Sequence, residues 1–179
     1  GYNVGFGAKK HFATFDIIEK MPGFIGFVSI AVGIFSLVYE PLSTKLPSAC
    51  LTVAGVCAVY IALYNHRKSE YERAGIELTK LFNELKVLYR GVQAGADVTA
   101  GVASLGTIES TFYGHAISNQ IVFSDWYAHY KFFAQQQIDW VDEQKKFTWR
   151  DKFPLSLILT ALIVVGLTVW LIVANLKPD

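Results

Sequence analysis

Uncharged apolar blocks alternate with charged stretches along the chain, and the blocks come first in the reading. Met21 to Tyr39 and Leu46 to Tyr64 are each uncharged and about 19 residues long, near the minimum for a helix that crosses the ~30 Å hydrocarbon core. Phe153 to Leu176 is also uncharged, and about 24 residues at ~1.5 Å rise exceed that thickness. Between the first two blocks lies "EPLSTKLP", whose prolines interrupt a helix. The pattern predicts a transmembrane hairpin over 21–64 and a third transmembrane helix over 153–176. A buried hairpin of a soluble protein is the competing reading. The small residues of the spans fall in register: Gly26, Ser29, Gly33 and Ser36 on the first, Ser48, Thr52, Gly55, Ala58 and Ala62 on the second. Small faces let helices approach closely and also suit the lining of a narrow pathway, so Gly26, Ser29, Gly33, Ser36, Thr52 and Gly55 are candidates for packing or pore lining.

The middle of the chain has another period. Tyr71, Ala74, Leu78, Leu81, Leu85, Leu88 and Val92 recur at steps of three and four, a seam of about three heptads that needs a partner helix. That partner belongs either to another subunit, making Leu78, Leu81, Leu85 and Leu88 oligomerisation residues, or to the same chain. A second stripe (Trp126, Tyr130, Phe133, Gln137, Trp140, Gln144, Phe147) has matching spacing, with Gln137 and Gln144 placed to fix register. Between the two, Gly91 to Gln120 reads as a flexible Gly- and Ala-rich connection with a short helix around Ala103 to Phe112.

Charge assigns the sides. Of 16 Lys and Arg, three precede the first span, one lies in the hairpin loop, eleven lie between Asn65 and Lys152, and one is in the tail. The positive-inside rule then places the N-terminus and the middle segment in the cytoplasm, and the hairpin tip and C-terminus outside. The expected organisation is an amphipathic cytoplasmic segment (1–20), hairpin (21–64), cytoplasmic helical region (65–152), third span (153–176) and external tail (177–179). Hydrophobic residues make up 53% and charged residues 17%, against about 25% charged in soluble domains. No cleavable signal peptide is expected, because some twenty residues including charges precede the first block. "LPSAC" at Cys50 lacks the apolar residue that a lipoprotein processing site requires. Cys50 and Cys57 sit on one helix and cannot pair with each other.

The chemistry is sparse. HExxH, CxxC, Glu-x-x-His pairs and GxxxxGK[ST] are absent, and His11, His66, His115 and His129 are scattered, so neither a metal site, a cofactor nor an enzymatic activity is expected. "GFGAKK" at Gly5 has no preceding strand to make it a phosphate loop. Asp125 and His129 are one helical turn apart and read as a surface pair. The spans lack ionisable residues, which disfavours a pump or coupled transporter. A net charge of +1 gives no sign of nucleic-acid binding. Arg67, Lys68, Trp126, Tyr127 and Tyr130 form a candidate nucleotide-binding set.

The stretches "AKKHFATFDIIEKMPGFIG" and "YNHRKSEYERAGIELTKLFNELKVLYR", flanking the hairpin, resemble the SLATT family of bacterial two-transmembrane proteins. "HAISNQIVFSDWYAHYKFF" resembles it less closely. The resemblance implies an all-α inner-membrane protein that permeabilises or depolarises its own cell's membrane in antiphage defence. It also implies a homo-oligomer responding to a cytoplasmic signal, either a nucleotide second messenger or a signalling protein. A structural scaffold subunit and a membrane-bound nucleotide sensor are the alternatives, and membrane lipid is a partner of all three.

Overall fold

The computed structural model describes residues 1–176; the expected external tail 177–179 lies outside the described residues. Every regular element among them is helical. The seven α-helices are α1 (Tyr2–Phe35), α2 (Lys45–Ala62), α3 (Lys68–Gln93), α4 (Val98–His115), α5 (Ser124–Tyr130), α6 (Asp139–Lys145) and α7 (Leu155–Leu176).

The first departure from expectation is α1. The segment 1–20 and the first span are not separate elements but one helix of 34 residues, with Pro22 inside it. Its first half lies in a charged helical body and its second half forms an antiparallel hairpin with α2. Pro47 falls in the first turn of α2, where its missing N–H breaks no intrahelical bond. Within the hairpin the partly covered positions include Ile25, Ser29, Ala31, Val32 and Ser36 on α1 and Leu51, Ala54 and Ala58 on α2, where Ile61 is buried. The other faces are bare. Only 6% of each apolar window is buried, and Phe27 and Leu37 are 72% and 84% exposed. A soluble protein does not leave an apolar surface of that extent in water. The soluble-hairpin reading is therefore discarded, and both helices are long and apolar enough to cross a membrane.

The heptad face of α3 finds its partners inside the chain. Leu78, Leu81, Phe82 and Leu85 join Val4 and Ala8 of α1, Ile108 of α4 and Trp140 and Val141 of α6 in the main core. Leu78 is fully enclosed and Leu88 packs at the margin. Of the two partners that the spacing of Leu78, Leu81, Leu85 and Leu88 allows, α1, α4 and α6 of the same chain pack on this face, with Leu88 only partly covered. Gly75 lets α1 come close, since a Cβ there would lie 3.1 Å from the Phe12 ring. A smaller cluster (Ile18, Ile61, Tyr71 and Ile121) closes the body where it meets the hairpin.

Two further expectations are revised. The connection after α3 holds an 18-residue helix, α4, begun by Asp97, whose carboxylate accepts from the Thr99 and Ala100 N–H groups. The aromatic stripe is not one helix. A π turn at Lys131–Gln135 ends α5, Gln136 is extended, and α6 starts at Asp139. The break rotates the stripe, so Gln137 and Gln144 are exposed and do not fix a buried register, while Phe132 and Trp140 point inward. Phe132 and Phe147 instead pack on Tyr2, with ring centroids 5.4 and 5.5 Å away, and Phe133 packs on both of them at 5.1 and 5.2 Å.

α7 leaves the body at Leu155, tied by the Trp126 indole N–H donating to Ser156 Oγ at 3.0 Å. Its side chains from Leu155 to Trp170 are almost all exposed.

Candidate functional site

Three groups of side chains are the candidates: the outward faces of the hairpin, a polar latch in the body, and an ion cluster at the junction. The small residues on the hairpin divide in two. Ser29 and Ser36 lie towards α2, whereas a Cβ placed on Gly26, Gly33 or Gly55 would meet nothing within 4 Å, and Thr52 is exposed. Ser36 donates to the Gly33 carbonyl (2.7 Å) and Thr52 to the Ser48 carbonyl (2.9 Å). Hydroxyls satisfied by their own helix are tolerable in hydrocarbon. The face bearing Gly26, Gly33, Thr52 and Gly55 is therefore not used for packing within the chain.

The latch holds the segment between α4 and α5 against α1 and α3. His11 is buried; its Nε2 accepts from the Ile117 N–H at 2.9 Å, so Nδ1 carries the proton and donates to the Gly7 carbonyl at 2.7 Å. Thr14 donates to Gln120 Oε1, whose amide donates to the Ile117 carbonyl, and Tyr71 donates to the Asn119 carbonyl. Burial pushes His11 below the ordinary imidazole range, against the opposing effect of its Gly7 hydrogen bond. In the sequence His11 is one of four scattered histidines, because its partners are the Gly7 carbonyl and a loop more than a hundred residues away.

At the junction, Asp16 is shared by Lys131 (2.5 Å) and Lys20 (2.6 Å). Burial raises the Asp16 carboxyl, but the hydrogen bonds from the two lysines outweigh it and hold it below the ordinary carboxylate range. Lys68 pairs with Glu19 and Lys10 with Asp125 (2.7 Å). The expected Asp125–His129 pair is absent. His129 is instead set between Phe6 and Phe133, and its Nδ1 has no hydrogen-bond partner.

The nucleotide-binding set is not gathered into one site. Arg67 is bonded to Glu70 (2.9 Å) and stacks over Tyr71, and Lys68 is held by Glu19. Trp126 and Tyr127 line an apolar cavity that neither cation lines, while the Tyr130 ring stacks on Tyr127. Among the described residues, no group of three or more His, Cys, Asp or Glu side chains is placed to hold a metal ion.

A bare apolar hairpin continuous with a charged helical body defines an all-helical membrane protein. The family described as SMODS and SLOG-associating 2TM effector domain 6 matches residues 1–161, and the chain belongs to it. The match spans the hairpin and the body and ends shortly after α7 begins. No curated protein and no solved structure matches the chain. Membership makes this a two-transmembrane effector domain.

Proposed function

We propose that the protein is a homo-oligomeric effector of bacterial antiphage defence that permeabilises or depolarises the inner membrane when its cytoplasmic body receives a signal. The observation that carries this reading is α1, one unbroken helix from the core of the body to the end of the first span. A rearrangement of Val4, Ala8 and Ile18 is thus passed along one helix, through Pro22, to Gly26 and Gly33. A signal acts here by binding more tightly to one arrangement of the body than to the other.

The sides follow from packing and charge together. Residues 2–18 and α3 share one core, so they lie on the same side of any membrane that the hairpin crosses. With eleven Lys and Arg between Asn65 and Lys152, that side is the cytoplasm. α7 is then a third span that leads to an external C-terminus. The uncovered face of Gly26, Gly33, Thr52 and Gly55 is where neighbouring hairpins meet and where a pathway opens between them.

Gly33→Leu tests the reading. A Cβ at this position meets nothing within 4 Å in the chain, so the substitution adds bulk on an open face, where it blocks close approach by a second hairpin. Activated wild-type protein should pass ions in liposomes and collapse a potential-sensitive dye signal in cells. Gly33→Leu, inserted at the same level, should do neither. Equal depolarisation by both forms would remove this face from the pathway. A wild-type protein that passes no ions under activating conditions would favour a scaffold.

A further inference from the structure

An apolar cavity of about 740 Å³ opens where the body meets the hairpin. Its walls come from α1 (Ile17, Met21, Ile25), α2 (Cys57, Tyr60, Ile61) and the run from Ile121 to Tyr127. That volume is in the range that holds a substantial apolar ligand. The charged side chains at its wall are Asp16 and Lys20. Asp16 and its two lysines carry a net charge of +1, two positive groups against one negative. Lys131 is enclosed and keeps Asp16 neutralised, whereas the Lys20 side chain is 68% exposed and free to turn towards another anion.

The lip of the cavity says which medium it faces. Val122 and Phe123 are large, apolar and more than half exposed. Phe123 also sits at φ 69°, in the left-handed region that a bulky side chain rarely adopts. Such strain is kept where the surroundings hold it in place, and it clusters at ligand clamps. Here it sets the Phe123 ring 4.8 Å from that of Trp126, at the level where α1 changes from charged to apolar. Aromatic side chains at that level belong in the membrane–water interface.

We propose that the cavity holds an acyl chain of an anionic phospholipid from the leaflet next to the body, with its headgroup phosphate against Lys20. The chain enters between Met21 and Phe123 and lies against Ile25, Cys57 and Ile61. Lys20 exchanges Asp16 for the phosphate, and Lys131 retains the carboxylate. The lipid thereby joins α1, α2 and the segment held by the His11 latch. The proposal needs the hairpin in a membrane but no conducting pathway, so it can fail while permeabilisation stands, and the reverse.

The test uses the full chain in phosphatidylcholine vesicles containing trace phosphatidylglycerol or phosphatidylcholine with a photoreactive group at the acyl terminus. The phosphatidylglycerol probe should label peptides of α1 and of 121–127 in preference to the phosphatidylcholine probe, and excess inorganic phosphate should not compete. Cys57→Trp fills the cavity and should lower this labelling about tenfold, the loss expected when roughly two methylenes are displaced from burial. Cys50→Trp, on the same helix but away from the cavity, should not. Lys20→Glu reverses the charge of an exposed side chain while Lys131 stays on Asp16, and it should abolish the preference for the anionic lipid. Equal labelling by both probes, a preference that survives Lys20→Glu, or competition by inorganic phosphate would overturn the proposal. So would a protomer–protomer crosslink from a photoreactive residue at position 123 in place of a lipid adduct.

Discussion

Truncating Leu78 distinguishes a seam within the chain from a seam between chains. Leu78 is fully buried among Val4, Ala8, Phe82 and Ile108, and lies under Gly7. Leu78→Ala removes three carbons, about 2.4 kcal/mol at ~0.8 kcal/mol each. The cavity left between two helices already locked by Phe12 and Phe82 cannot close fully, which raises the cost to about 3–4 kcal/mol. In a chain of this length that corresponds to a drop in melting temperature of about 6–16 °C. Val87→Ala, on the exposed face of the same helix, should change stability by less than about 0.5 kcal/mol. Thermal unfolding of purified protein in detergent measures both, and chemical crosslinking of the same samples reports the oligomer. A destabilised Leu78→Ala chain that retains its crosslinked species below its melting point is the expected result. An unchanged melting temperature with loss of the oligomer would refute the reasoning and return the α3 face to a neighbouring subunit.

Other consequences follow from single positions. Gly5→Ala would place a Cβ 2.6 Å from Phe82 and 2.9 Å from Phe132, both enclosed; overpacking of about 1–3 kcal/mol should outweigh the gain in helix propensity of ~1 kcal/mol. Gly106→Ala, with nothing within 4 Å, should show the opposite sign in the same melts, with a gain of up to about 1 kcal/mol. Burial lowers the folded-state pKa of both His11 and His129, so below about 6.5 the unfolded chain takes up protons that the folded chain refuses. Stability should therefore fall as pH drops below that value and level off once the folded-state pKa values are passed. The dependence should become shallower in His129→Phe, which keeps the ring between Phe6 and Phe133. A stability that rises on acidification would show that neither histidine is held neutral.

The parts of this fold that were legible in the sequence are those where one solvent acts on one periodic segment. The two hairpin spans could be read because lipid excludes charge from whole blocks, and the α3 seam because Leu78, Leu81 and Leu85 face a single core. The full length of α4, beyond the short helix around Ala103 to Phe112, and the break after α5 were not legible, each for its own reason. The start of α4 depends on the Asp97 side chain capping a Gly- and Ala-rich run whose composition suggests a loop. The stripe from Trp126 to Phe147 kept a helical period on paper, although the π turn at 131–135 rotates everything that follows it. Candidate binding residues were the least legible. Arg67, Lys68 and Trp126 suggest a nucleotide site as types, but Glu70, Glu19 and Ser156 already engage them, and such pairings depend on tertiary placement.

The continuity of α1 was hidden by two local signals, the charges from Asp16 to Lys20 and the proline at position 22. In water either would suggest an end. Here α3 covers one side of the helix up to Ile18, and from Met21 a membrane supplies the apolar surroundings, in which backbone groups must stay paired within their own helix. Helical geometry is thus favoured on both sides of the boundary, for different reasons. Pro22 removes only one N–H, and it falls where packing on α3 has ended and lipid contact begins. Proline is among the identifiable causes of helix bending, so any bend in α1 is confined to that point. Asp16, Lys20 and Lys131 lie on the body side of it, and Gly26 and Gly33 on the membrane side. A change in the body therefore reaches the span as a movement of one continuous rod about one defined place, adjacent to the cavity assigned to lipid.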